Sequence, residues 1–109
     1  MQEPTFLILT ALAKAPMHGY AITREVSALS GERVVLRAGT LYAALDRLAE
    51  QGLVEVDREE AVQGRLRRYY RLTEAGTAAL ADEVVRLRHN ATLAAERLRR
   101  RPARTPRTV

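Results

Sequence analysis

The sequence contains no cysteine, so neither a disulfide framework nor a thiolate metal site can be built from it. No apolar run approaches the roughly 20 residues that a membrane-spanning helix needs. The amino terminus lacks the basic segment and small-residue cleavage site of a secretory signal. A cytoplasmic protein with no membrane association is therefore expected. Parts for enzyme chemistry are also missing: there is no glycine-rich phosphate loop and no recognisable pair of catalytic carboxylates. The two histidines, His18 and His89, have no second ligand at metal spacing. Catalytic residues, metal ligands and cofactors are thus expected to be absent.

What is present is charge, and its distribution matters more than its sum. The 109 residues carry a formal net charge of +5. Six arginines, however, lie in the last thirteen residues (Arg97, Arg99, Arg100, Arg101, Arg104 and Arg107), with no acid among them. The first 96 residues hold the other 12 basic side chains against 13 acidic ones, a net charge of −1. Any nucleic-acid footprint in the folded part must therefore be a local patch. A chain of this length is one domain with a modest core, at a size where burial is incomplete and a partner chain would help.

The most informative stretch is 37–54. Leu41, Leu45 and Leu48 recur at helical spacing with Ala44 beside them, which places one helix face in a core. Thr40, Tyr42, Ala43, Asp46 and Arg47 lie on the other face. Small residues flanking a tyrosine and an arginine let a helix backbone approach another surface closely, as a helix in a DNA major groove must. Gly52 fits the left-handed position that ends such a helix. Upstream, Pro4 opens a helix that runs to Ala15, is apolar almost all round, and stops at Pro16. Such a helix must be buried on more than one side. Residues 17–20 read as a turn. Residues 21–30 read as a second helix, with Ile22, Val26 and Leu29 inward, Thr23, Arg24 and Ser27 outward, and Gly31 at its end. The β-branched segment 33–36 reads as a brief strand.

Residues 53–58 and 66–72 alternate with period two, and the polar segment 59–65 between them reads as a hairpin with a long tip. Tyr70 and Leu72 are expected to face the core together with Arg68, leaving Arg67, Tyr69 and Arg71 on the other side. Five arginines and two glutamates between positions 58 and 71 give a net charge of +3, the local patch that the global charge does not supply. Thr73 is the expected N-cap of a helix from Glu74 to about Arg100. Leu80, Val84, Leu87, Ala91, Ala94 and Leu98 alternate four and three apart, an a/d seam over nearly three heptads. Such a helix extends roughly 40 Å, beyond any core this domain can build, and calls for a partner helix. Pro102 and Pro106 break up the remainder, which is expected to be a disordered basic tail.

Helix, helix, short strand, helix and two-stranded hairpin is the order of a winged helix-turn-helix. The expected fold is mainly α with a small β-hairpin: a winged helix-turn-helix over 1–73, a dimerisation helix over 74–100 and the tail over 101–109. In that motif the third helix reads base edges in the major groove while the wing neutralises phosphates, and two chains read two half-sites. Four motifs then stand out in order: His18-Gly19-Tyr20, Gly39-Thr40-Leu41-Tyr42, L-A-E-Q-G-L from Leu48 to Leu53, and Arg68-Tyr69-Tyr70-Arg71-Leu72-Thr73-Glu74-Ala75-Gly76. Taken together, over about residues 5–100, the chain resembles the PadR family of bacterial transcriptional regulators. The resemblance is to the small subfamily, in which a single carboxy-terminal helix serves for dimerisation. It implies a repressor released by a small molecule, often controlling phenolic acid, detoxification or multidrug-efflux genes. Some small members hold flat aromatic drugs at the dimer interface with a tryptophan; this sequence contains none.

The candidate DNA contacts are Thr40, Tyr42, Ala43 and Arg47 on the third helix and Arg37 at its start. Arg65, Arg67 and Arg68 join them from the wing, and Tyr20, Thr23 and Arg24 from the second helix. Tyr42 has an alternative place against the hairpin, Arg68 an alternative structural role, and His18 is an N-cap or a packed turn residue. Dimerisation is assigned to the seam of Leu80, Val84, Leu87, Ala91, Ala94 and Leu98. Phe6, Leu9 and Leu93 are expected to line a pocket for a small apolar or aromatic effector between the first helix and the paired terminal helices. The expected partners are therefore a double-stranded operator, a second copy of the chain, and that effector. The alternative function is a winged-helix protein–protein interaction module; an arginine-rich wing favours DNA.

Overall fold

Apolar side chains at three- and four-residue intervals build most of this fold, which a computed structural model describes for residues 1–103. Helix α1 (Glu3–Lys14) carries proline in its first turn and buries Ile8, Leu9, Ala11 and Leu12. It ends because Ala15 is held extended (φ −172°, ψ 162°), as the residue before a proline prefers. Helix α2 (Gly19–Leu29) begins two residues before the expected start because His18 caps it, its Nδ1 accepting from the Ala21 amide at 3.3 Å. Ile22 and Val26 are buried, whereas Leu29, expected to face inward, is 47% exposed. It is the last helical residue, and the chain leaves through Gly31 and Glu32, both at positive φ.

Segment 33–36 is not a strand. Leu36 is buried and pins this loop to the core, while a bidentate pair from Arg33 to Glu3 (2.6 and 3.0 Å) ties it to the start of α1. The short strand is instead β1 (Met17–His18), within the segment read as a turn. It pairs antiparallel with strand β3 (Arg65–Leu72), Met17 opposite Tyr70 and His18 opposite Tyr69. The outer edge of β3 is thereby covered at Tyr69 and Tyr70.

Helix α3 (Ala38–Glu50) buries Leu41, Ala44, Leu45 and Leu48. Its end is a Schellman motif: Gly52 at φ 75° donates to Ala49 O at 3.0 Å, and Leu53 donates to Leu48 O at 2.9 Å. Strand β2 (Val54–Val62) follows and pairs with β3, giving the order β1-β3-β2. The hairpin has no long tip. Both strands run to a two-residue turn, Gln63 and Gly64 (φ 52° and 76°), the double positive φ of a type I′ turn. A bulge between Val56 and Arg58 shifts the register and breaks the phase of the alternation.

The core is a single cluster drawn from all three short helices, Val54 and Tyr70. A fully buried leucine or isoleucine contributes about 1.5–3 kcal/mol, so Ile8, Leu9, Ile22, Leu41, Leu45 and Leu48 dominate it. Helix α4 (Glu74–Arg99) starts at the Thr73 cap, whose Oγ1 accepts from Gly76 N at 2.9 Å and donates to Gly52 O at 2.6 Å. Gly76 lies against the Leu53 backbone so closely that a Cβ would overlap the carbonyl oxygen. Leu80 packs on the core, and then the helix departs, giving the molecule an extent of 73 Å along its long axis. Residues 101–103 carry no helix or strand; the rest of the expected basic tail, 104–109, lies outside the described residues.

Candidate nucleic-acid interface

The buried side chains of α3 fix its orientation. With Leu41, Ala44, Leu45 and Leu48 inward, the opposite crest at 100° per residue is Gly39, Ala43, Asp46 and, at the last turn, Glu50. Thr40 and Arg47 flank the crest toward α1, where they border a groove that also holds Pro4 and Thr5. Tyr42 flanks it toward the wing. There an open cleft of about 810 Å³ separates α3 from the hairpin, with Tyr42 and Asp46 on one wall and Arg65, Leu66 and Arg67 on the other.

Tyr42 has a double role. It is 45% exposed, yet a Cβ at Gly19 would collide with its hydroxyl and lie 2.8 Å from Cζ. The glycine that opens α2 is therefore the seat of this phenol. The packing is against α2 rather than the hairpin. Tyr20 is exposed with Arg24 over its ring (5.8 Å), Thr23 is half-buried, and Arg37, Thr40, Ala43 and Arg47 are exposed.

Charge pairing revises the wing. The strand register puts Glu55, Asp57, Glu59 and Glu60 beside the arginines. Arg58 pairs with Asp57 (3.2 Å) and Glu60 (3.6 Å), Arg68 with Glu59 (3.2 Å), and Arg71 with Glu55 (2.7 Å) and Asp57 (3.4 Å). Arg68 is thus held in an exposed ion pair, and the expected patch of +3 is largely neutralised. Among the described residues, Arg65 and Arg67 have no ion-pair partner, nor do Arg37 and Arg47. On the wing the arginines left without a partner therefore lie near its turn, while on α3 Arg47 stands beside the likewise unpaired Asp46.

The wing is braced from below. Tyr69 receives the Arg58 guanidinium on its ring face at 3.9 Å, meets the His18 ring edge-on at 5.3 Å, and donates its hydroxyl to Glu60 at 3.3 Å. Partial burial, and then the Arg67 charge, hold His18 below its ordinary pKa of 6.5, against a smaller opposing pull from Glu60. Neutral His18 can keep Nδ1 as an acceptor for the α2 cap. The sequence signal for this brace is the His18-Gly19-Tyr20 motif, but its pairing with Tyr69 spans the whole domain and is invisible locally.

The other assigned sites separate in space. On α4, Leu80 and Val84 are half-buried, while Leu87 and Leu98 are 41% and 65% exposed, and Ala91 and Ala94 are also uncovered. The effector trio does not assemble within one chain. Leu9 is 0% exposed and belongs to the core, which corrects its assignment as a pocket-lining residue. Phe6 is half-buried on α1. Met1 meets Glu83 at 3.6 Å, and Leu93 lies about 15 Å farther along the helix. Among the described residues no group of three or more His, Asp or Glu could hold a metal ion. None of their helices is long and apolar enough to cross a membrane.

Comparison with known proteins gives a consistent family. The profile of the transcriptional regulator PadR-like family matches residues 8–82. The chain is 45% identical over 76 residues to the transcriptional regulator Rv3488 of Mycobacterium tuberculosis, covering 70% of this chain and 67% of that one. It is similar to the crystal structure of a PadR family transcription regulator from Clostridium difficile R20291, with a TM-score of 0.74 and 25% identity over 89% of this chain and 99% of the other. Its fold is also that of Bacillus subtilis PadR, solved in complex with operator DNA, with a TM-score of 0.68 and 22% identity over 99% of this chain and 54% of that one.

Proposed function

We propose, from the premise that this chain belongs to the PadR-like family of transcriptional regulators, that it binds operator DNA as a homodimer and represses transcription until a small apolar or aromatic effector releases it. Regulators of this family are DNA-binding proteins rather than enzymes, and the proposed place of action is the cytoplasm. The observation that carries the reading is the exposed crest of α3, flanked on one side by the unpaired Arg47 and on the other, across the cleft, by the unpaired Arg65 and Arg67. The α3 crest would enter the major groove, with Thr40, Tyr42, Ala43 and Arg47 near base edges and Arg37 at a phosphate. Arg65 and Arg67 would follow the backbone, and Tyr20, Thr23 and Arg24 would bear on it from α2. Bacillus subtilis PadR, which shares the fold, was solved with operator DNA.

Dimerisation is proposed for the α4 seam of Leu80, Val84, Leu87, Ala91, Ala94 and Leu98, because a heptad face this long and this uncovered requires a partner helix. An effector pocket would then form only in the dimer, between Phe6 on one side and Leu93 on the other. An effector releases DNA only by binding one arrangement of the two winged domains better than the other; tenfold weaker DNA binding requires roughly 1.4 kcal/mol of such preference.

The test is binding to the DNA just upstream of the chain's own gene across a salt series, with unrelated DNA as competitor. Specific binding that weakens steeply with salt is expected. Equal competition by unrelated DNA would refute an operator-specific regulator, and no binding at all would favour a protein partner.

A further inference from the structure

The crest of α3 carries a residue that the electrostatics of DNA binding do not explain. Asp46 is exposed, borders the cleft facing Arg65 and Arg67, and has no hydrogen bond or ion pair among the described residues. Its neighbours three and four positions away are Ala43, Ala49, Tyr42 and Glu50, so no basic side chain on the helix offsets its charge. An unpaired carboxylate on a surface that meets phosphates is repelled by every duplex alike. It is tolerable where it meets a hydrogen-bond donor.

The major groove offers such donors unevenly. Cytosine presents its N4 amino group, adenine places an N7 acceptor beside its N6 donor, and guanine and thymine turn acceptors toward the groove. A short carboxylate reaches a base edge only if the helix backbone comes close. The crest residues that precede it permit this: Gly39 has nothing within 4 Å of the space a Cβ would fill, and Ala43 ends at its methyl group. We infer that Asp46 is a specificity-determining residue, accepting a hydrogen bond from cytosine N4 once in each half-site and rejecting guanine and thymine at that position. Attraction to one base and repulsion from the others act together, so a residue that weakens general binding sharpens choice. The inference rests on the reading of α3 as the helix in the major groove.

The experiment starts from duplexes that the wild-type chain selects from a random-sequence pool. Each position of the selected half-site is then replaced by all four bases, and affinities are measured for wild type, Asp46→Ala and Asp46→Asn. Because Asp46 is exposed and makes no hydrogen bond or ion pair among the described residues, both variants should match the wild-type thermal melt, which confirms folding. Wild type is expected to prefer cytosine at one position by roughly five- to tenfold. Asp46→Ala should lose that preference at that position alone, and Asp46→Asn should move it toward adenine. The inference is overturned if the ratio of wild-type to Asp46→Ala affinity is the same for all four bases at every position, which is the result expected if Asp46 merely repels phosphate or steadies a wing arginine. It is also overturned if no position prefers cytosine. Failure of the wild type to enrich any sequence would instead remove the DNA-binding reading itself.

Discussion

Replacing Gly76 by alanine tests whether α4 is held to the winged domain by backbone contact. The new Cβ would overlap the Leu53 carbonyl oxygen and lie 2.9 Å from its carbon, where ordinary contact begins at 3.4 Å. The oxygen is the nearer atom and sets the retreat, so the helix must move back by more than about an ångström. The bonds in its path are Thr73 N to Leu53 O (3.1 Å), Thr73 Oγ1 to Gly52 O (2.6 Å) and Gly76 N to Thr73 Oγ1 (2.9 Å). Overpacking of this kind costs about 1–3 kcal/mol, and a weakened cap adds about 1 kcal/mol. Alanine's better helix propensity returns at most about 1 kcal/mol. The net loss of about 1–3 kcal/mol lowers the melting temperature by about 4–8 °C per kcal/mol. Gly39→Ala is the control: its site is open and helical, so it should be neutral or slightly stabilising. Thermal melts by circular dichroism at one fixed protein concentration compare the three chains, since association couples to stability. A Gly76→Ala melt within about 2 °C of wild type would refute the contact argument.

Leu87→Glu places a charge in the α4 seam and should yield a monomer by sedimentation that binds DNA poorly; a variant that stays dimeric would remove the heptad argument. Arg65→Ala and Arg67→Ala should each lower the slope of log affinity against log salt by about 0.9. Arg71→Ala, whose guanidinium is tied to Glu55 and Asp57, should lower it less, and equal losses in all three would contradict the pairing. His18 is held below its ordinary value of 6.5 by burial and by Arg67, so the unfolded chain takes up a proton first as pH falls. The stability contribution is complete above pH 6.5 and is lost as pH falls beneath it toward the folded pKa. His18→Asn keeps a capping acceptor without titrating, and should flatten stability against pH just below 6.5; an unchanged profile would show that His18 does not govern it.

Elements with a long period were legible before any coordinates. The α4 seam repeats from Leu80 to Leu98, and the Leu41, Leu45 and Leu48 spacing marks both the helix and the face it buries. Two-residue β1 carries no period at all, and its existence depends on Tyr69 and Tyr70, some fifty positions away. The wing differs from its sequence pattern because the bulge near Asp57 breaks the alternation and because the charges cancel only through a register that sets Glu59 opposite Arg68. Leu9 illustrates a different limit: a helix that is apolar on nearly every side does not announce which side meets its own core. At the candidate interface the exposed residues of α3 were readable from helical phase alone. That Gly19 seats Tyr42, and that Arg68 is neutralised while Arg65 and Arg67 are not, required three-dimensional neighbours.

The joint at Thr73 and Gly76 also sets a mechanical ratio. It is bonded to Gly52 and Leu53, the residues that close α3, so the root of α4 is almost rigidly continuous with that helix. From Thr73 outward run 26 helical residues, an arm of about 39 Å at 1.5 Å per residue. A swing of about 10° at the root sweeps the far tip through about 7 Å, two base-pair rises of about 3.4 Å. Run backwards, the same gearing means that an ångström-scale rearrangement far out on the arm reaches α3 as only a degree or two of tilt. A molecule wedged close to Gly76 would have far more leverage over α3 than one lodged at Leu98.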